Sequence, residues 1–129
     1  MKISLVIPMY NESSIIDGAL KTFSDYMKSA FEDWELIFVD DGSSEGCGAV
    51  VSAAAQTEPR IRLCAYSPNR GKGYAVRTGM LSATGDIILF TDCDNAYGTE
   101  AVGELAGVFS KSDADIVVGS RNLSKDGYE

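Results

Sequence analysis

The chain has 129 residues, 45% hydrophobic and 23% charged, the proportions of one ordinary globular domain. Eleven basic against 19 acidic residues give a net charge of -8, which argues against general binding to nucleic acid; an anionic ligand needs a local cation, a helix N-terminus or a placed Arg. There is no His, so the chain holds no Ser-His-Asp or Cys-His set of its own.

Three cysteines, Cys47, Cys64 and Cys93, lack paired spacing and fit a reduced compartment rather than a disulfide framework. Met1-Lys2-Ile3 enters a strand pattern at once, without the form of a signal peptide. No apolar run approaches the roughly 20 residues of a membrane span. The expectation is a soluble, cytoplasmic chain.

In chain order, Ile3 to Ile7 is a first strand, stopped by Pro8. Ser13 or Ser14 opens a helix, with Ser14-x-x-Asp17 resembling a capping box, and Ile16, Ala19, Leu20, Phe23 and Met27 recur at helical spacing. Trp34 to Val39 is a second strand, and Asp40-Asp41-Gly42-Ser43-Ser44 a turn into a second helix over about 44–56. Ile61 to Ala65 is a short third strand, followed by the Gly-rich loop Asn69-Arg70-Gly71-Lys72-Gly73. That loop is not G-x-x-x-x-G-K-[ST], so a P-loop is rejected. Tyr74 to Ala83 is a third helix, ended by Gly85 as a C-cap. Asp86 to Thr91 is a fourth strand, Ala101, Leu105, Val108 and Phe109 mark a fourth helix, and Ile116-Val117-Val118 is a fifth strand. Strands alternating with helices predict an α/β, Rossmann-like three-layer sandwich with a mainly parallel central sheet.

The unusual polar clusters all follow strands, so a parallel sheet gathers them on its carboxyl edge around one crevice. Asp92-Cys93-Asp94 carries the strongest chemistry. Alternation points Asp92 and Asp94 to one side and Cys93 to the other, and paired carboxylates are hard ligands for a divalent cation that bridges to substrate phosphates. Alone, such a pair is more often a plain surface turn.

Val6-Ile7-Pro8-Met9-Tyr10-Asn11-Glu12, Val39-Asp40-Asp41-Gly42-Ser43-Ser44, Asn69-Arg70-Gly71-Lys72-Gly73, Asp92-Cys93-Asp94 and Gly119-Ser120-Arg121 together resemble the family 2 glycosyltransferases of the GT-A fold. The likeness is greatest to their dolichyl- or polyprenyl-phosphate sugar transferase branch. It implies a nucleotide-diphosphate sugar donor, Mg2+ or Mn2+, inversion at the sugar carbon, and a polyprenyl-phosphate or glycan acceptor that brings the protein to the membrane periphery. Residues 1–129 then correspond to the donor-binding portion, ending before the family's acceptor half. The resemblance implies a nucleoside pocket lined by Pro8, Tyr10 and Glu12, with Tyr10 facing the base and Glu12 accepting from ribose. Asp40 and Asp41 accept from base or ribose, or simply form a capping turn. Lys72 or Arg70 neutralises diphosphate, or Lys72 is a solvated basic residue. Asp92 and Asp94 hold the metal, one of them through its water shell or by binding the ribose instead. Arg121 meets a phosphate or is a surface Arg. Ala96 departs from the family, which often has Gln or Ser there; Asn95 and Tyr97 are candidates to compensate. The alternative function is a non-catalytic nucleotide-sugar-binding module or a truncated fragment.

Overall fold

The computed structural model describes residues 1–118. Its elements are β1 (Ile3–Met9), α1 (Ile16–Ala30), β2 (Trp34–Asp41), α2 (Cys47–Thr57), β3 (Ile61–Tyr66), α3 (Lys72–Ser82), β4 (Ile87–Phe90) and α4 (Glu100–Lys111). The four strands form one sheet in the order β3-β2-β1-β4, and every pairing is parallel. All seven residues of β1 and all eight of β2 are buried, as expected of inner strands covered on both faces.

Alternation along the strands builds two cores. Leu5, Ile7, Leu36 and Phe38 face α1, α2 and α4 in the larger one. Val6, Ile37 and Val39 face α3 in the smaller. The buried face of α1 is Ile16, Ala19, Leu20, Phe23 and Met27, the set its spacing predicts. α3 lies close on the sheet because Gly79 has no side chain. A Cβ there would stand 2.4 Å from Val6 Cγ1 and 2.9 Å from Val39 Cγ2.

Several sequence expectations are corrected. Pro8 does not stop β1; it pairs with Val39 inside the strand. Ladder bonds alternate sides, with Ile3 N donating towards β2 (to Asp33 O) and Val6 O accepting from Thr91 N on the β4 side. Pro8 falls in the second set, one step beyond the last pair, Val6 with Phe90, where no ladder partner needs its missing N–H. Ser14 makes no capping bond. Instead Ile15 N and Ile16 N both donate to Glu12 O at 3.0 Å. Gly85 is not a C-cap; its bare Cα lets the chain pass Ser4, where a Cβ would sit 2.4 Å from Ser4 Oγ. α4 buries Val102 and Ala106 rather than Leu105 and Val108, one residue round the helix. Ile116 to Val118 form no strand, and Ile116 and Val118 are exposed. β-branched residues favour a strand only where a neighbour pairs with them.

At the amino edge, Glu35 is buried and ties the elements together. It accepts from Ser4 Oγ at 2.6 Å, Arg62 Nη1 at 2.6 Å and Thr84 N at 2.7 Å.

Candidate functional site

From β1 the chain winds to one side, through β2 to β3, then returns over α3 to β4 on the other side of β1. The carboxyl ends of β1 and β4 are therefore a topological switch point, where open α/β sheets leave a crevice. A cleft of about 420 Å³ opens there. Pro8 and Met9 line it from the end of β1, Tyr10 and Glu12 from the turn that follows, Asp41 from β2, Asn69 and Gly71 from the loop before α3, Lys72 from the start of α3, and Asp92 to Asp94 from the segment after β4.

Asn11 staples the first two loops. It adopts φ 52, a left-handed conformation that Asn tolerates. Its N–H donates to Ser43 Oγ at 2.9 Å, and its Oδ1 accepts from Ser44 N at 3.0 Å. Sequence reasoning missed this role, because Ser43 and Ser44 lie 32 and 33 positions along the chain from Asn11.

The two acids of β2 part company. The strand runs on through both, so alternation turns Asp40 to the larger core's face, beside α2. There Asp40 Oδ1 accepts from Ser43 N at 3.0 Å, and Asp40 is no wall of the cleft, contrary to its expected donor-binding role. Asp41 does reach the cleft, but its carboxylate is filled from within. Oδ1 accepts from Tyr66 Oη at 2.6 Å and Arg70 N at 2.8 Å, and Oδ2 from Asn69 Nδ2 at 2.8 Å and Gly71 N at 3.0 Å. Four bonds use the roughly four acceptor positions of a carboxylate. Asp41 therefore builds the loop that carries Lys72. Burial, and then the Asp41 carboxylate, push the Tyr66 phenol well above its ordinary range. Gly42, at φ 75, is required twice. A Cβ would be strained there and would also lie 2.4 Å from Asn69 N.

Asp92 and Asp94 stand on the cleft and Cys93 is buried, but the segment is a turn closed by Asn95 N donating to Asp92 O at 3.1 Å, not the extended strand from which alternation was expected. Cys93 is packed in the larger core, and burial first, then the charge of Glu12 and other neighbours, pushes its thiol up to about 12. Asp92 pairs with the ammonium of Lys72, the first residue of α3. Asp94 is exposed and its Oδ1 accepts from Ala96 N at 3.1 Å. The Glu12 carboxyl is raised by partial burial and then by the charges of Asp94, Asp92 and Glu45. Tyr10 is 48% exposed at the rim. Arg70 leans away, its guanidinium 5.2 Å over the Tyr74 ring. Arg121 and the rest of Gly119-Ser120-Arg121 lie outside the described residues.

The donor set fits a hard divalent cation. Asp92 and Asp94 face the cleft beside Glu12, and the adjoining Cys93 is packed in the larger core. No three acidic or thiol groups among the described residues gather closely enough to enclose a metal by themselves. Asp92 and Asp94 are the residues that could hold Mg2+ or Mn2+, ions commonly bound by one or two carboxylates with water and substrate phosphate.

The all-parallel sheet order with flanking helices defines an α/β domain of the GT-A type. The chain belongs to glycosyl transferase family 2, whose family model matches residues 4–128. It is 33% identical over 130 residues to a dolichyl-phosphate beta-glucosyltransferase of Dictyostelium discoideum, covering 93% of this chain and 40% of that protein. It is 32% identical over 122 residues to a prophage bactoprenol glucosyl transferase homolog of Escherichia coli K12, covering 95% of this chain and 39% of that one. Among solved structures it resembles a mannosyltransferase of Pyrobaculum calidifontis in complex with GDP-Man and Mn2+. The TM-score is 0.63 at 30% identity, over 71% of this chain and 27% of that one. The chain thus spans about 40% of the length of these curated relatives.

Proposed function

We propose that this chain is the donor-binding portion of a metal-dependent, inverting glycosyltransferase. It takes a nucleoside-diphosphate sugar and serves transfer to a polyprenyl phosphate at the membrane periphery. The observation that carries the reading is the meeting of Asp92, Asp94, Glu12, Tyr10 and Lys72 in one cleft at the switch point. The names of the relatives, which act on dolichyl phosphate or bactoprenol, favour a polyprenyl-phosphate acceptor.

Tyr10 offers its ring face to the base and Glu12 an acceptor to the ribose hydroxyls, while Pro8 and Met9 floor the pocket. Asp92 and Asp94 hold the divalent cation. Mg2+ or Mn2+, when bound, supplies positive charge that offsets the diphosphate and makes it a better leaving group. Lys72 adds a second positive charge beside Asp92. Asp41 fixes the Asn69 to Gly71 backbone, and with it the start of α3. A phosphate acceptor is already anionic, so attack on the sugar carbon requires no general base from this chain. A single displacement from the side opposite the diphosphate inverts that carbon. No helix among the described residues is long and apolar enough to cross a membrane.

Titration calorimetry with UDP, GDP and their sugars, with Mn2+ or with chelator, tests the reading. Without the cation a diphosphate meets the two acids at a few ångströms, which costs about 1–4 kcal/mol depending on the local dielectric. Binding that chelator largely abolishes is the expected result. Equal affinity in both conditions removes the metal from the account.

A further inference from the structure

We propose that Lys72 is the resident counter-ion of the metal site. Its ammonium holds Asp92 while no divalent cation is bound, and moves to the donor's diphosphate when the cation arrives. This rests on the donor-site reading above and adds to it an order of events.

The two acids are not equivalent in the structure. Asp92 is already matched with a positive charge from Lys72, whereas Asp94, among the described residues, accepts from the backbone N–H of Ala96 and is paired with no cation. The root of Lys72 is fixed, because the amides of Arg70 and Gly71 and the side chain of Asn69 are all bonded to Asp41. Its tip is not. The Lys72 side chain is 58% exposed and that of Asp92 34% exposed, so water screens the pair. Such pairs are weak and contribute a few-fold to an equilibrium at most. A weak pair suits exchange. It neutralises Asp92 in the empty cleft but yields to a doubly charged cation. Ammonium and cation then repel across one carboxylate, and an incoming diphosphate is the anion on which both can rest. Arg70, which leans over Tyr74, is not placed to do the same.

The consequence is a reversal of sign. Lys72 opposes the cation when no nucleotide is present and assists the nucleotide once the cation is bound. A residue that only supports the loop would weaken both ligands when removed.

The test compares the wild type with Lys72→Met and Arg70→Gln. Free Mn2+ is counted by its electron paramagnetic resonance signal without nucleotide, and UDP and GDP are then titrated at saturating Mn2+. Lys72→Met should bind Mn2+ alone about 2–5-fold tighter. It should bind the better of the two nucleotides about tenfold more weakly. Arg70→Gln removes the same charge from the same loop without the contact to Asp92, and should shift Mn2+ alone by less than about twofold. Lys72→Met binding Mn2+ no tighter than wild type overturns the exchange, as does Arg70→Gln tightening Mn2+ equally. If the wild type binds neither Mn2+ nor nucleotide, the donor-site reading falls as well. If it binds both and only the reversal is missing, the exchange alone is wrong.

Discussion

Asp41→Asn separates a residue that builds the cleft from one that touches its ligand. The carboxylate accepts four bonds, two on each oxygen. Asn keeps one acceptor oxygen and presents N–H groups on the other side. Turned towards Asn69 and Gly71, the amide meets two donors. Turned towards Tyr66 and Arg70, it loses only the Arg70 amide, since the Tyr66 hydroxyl can reverse and accept. The second orientation is cheaper, but every surviving bond is then to a neutral group. Losing one bond to a charged acceptor and weakening the others costs about 3 kcal/mol, from roughly 1.5–3 for a charged bond and 0.5–1.5 for a neutral one. For a domain of this size that lowers Tm by about 10 °C. Calorimetry at neutral pH measures it. Absorbance titration gives an independent readout, because the Tyr66 phenol, held up by burial and Asp41, should ionise at lower pH in the variant. A Tm within about 2 °C of wild type, combined with lost nucleotide affinity, would refute the scaffold assignment and return Asp41 to direct ligand contact.

Glu35 sets an acid limit on stability. Burial raises its carboxyl, but bonds from Ser4, Thr84 and Arg62 outweigh burial and hold it at about 2, against 4.5 as the ordinary value. A lowered folded-state value stabilises the protein above pH 4.5, and that contribution, at most about 3 kcal/mol, fades as pH falls towards 2. Urea midpoints should drop less between pH 5 and 2.5 for Glu35→Gln than for wild type; equal drops would exclude Glu35 as the cause. Asp94→Asn should change stability by no more than about 0.5 kcal/mol, since the residue is an exposed loop acid. It should still weaken metal-dependent nucleotide binding by about tenfold or more, and an intact fold with unchanged affinity would remove Asp94 from the site. Gly79→Ala drives a methyl against Val6 and Val39. Overpacking of about 1–3 kcal/mol, less the roughly 1 kcal/mol that Ala gains over Gly in a helix, leaves a net loss; a raised Tm would contradict the close packing of α3.

What the sequence disclosed was what is local and periodic. The buried stripe of α1 is read directly from its spacing; the burial of Cys93 was expected too, but from alternation along a strand, whereas the segment is a turn. Asp40 and Asp41 were misread as a turn because Asp is disfavoured in strands. For Asp41, tertiary bonding from the 66–71 segment overrides that preference, while Asp40 stays in the ladder and accepts a local bond from Ser43 N, three residues on. Asn11 and Asn69 act across 33 and 28 positions respectively, so no local pattern announced their partners. Gly85 looked like a helix end because a glycine's need for space and its need for a special backbone angle are written with the same letter.

Cys93 gives the cleft a hidden adjustment. The two cleft-facing acids flank a side chain locked in the larger core, so their spacing is inherited from packing they never touch. A bulkier or smaller residue at 93, or a repacked neighbour behind it, would shift both carboxylates together, like two hands of a clock on one spindle. On the proposed reading of Asp92 and Asp94 as metal ligands, selection could therefore retune ion preference from the interior while both ligands stay the same. A comparison restricted to the lining residues would miss why two such proteins differ.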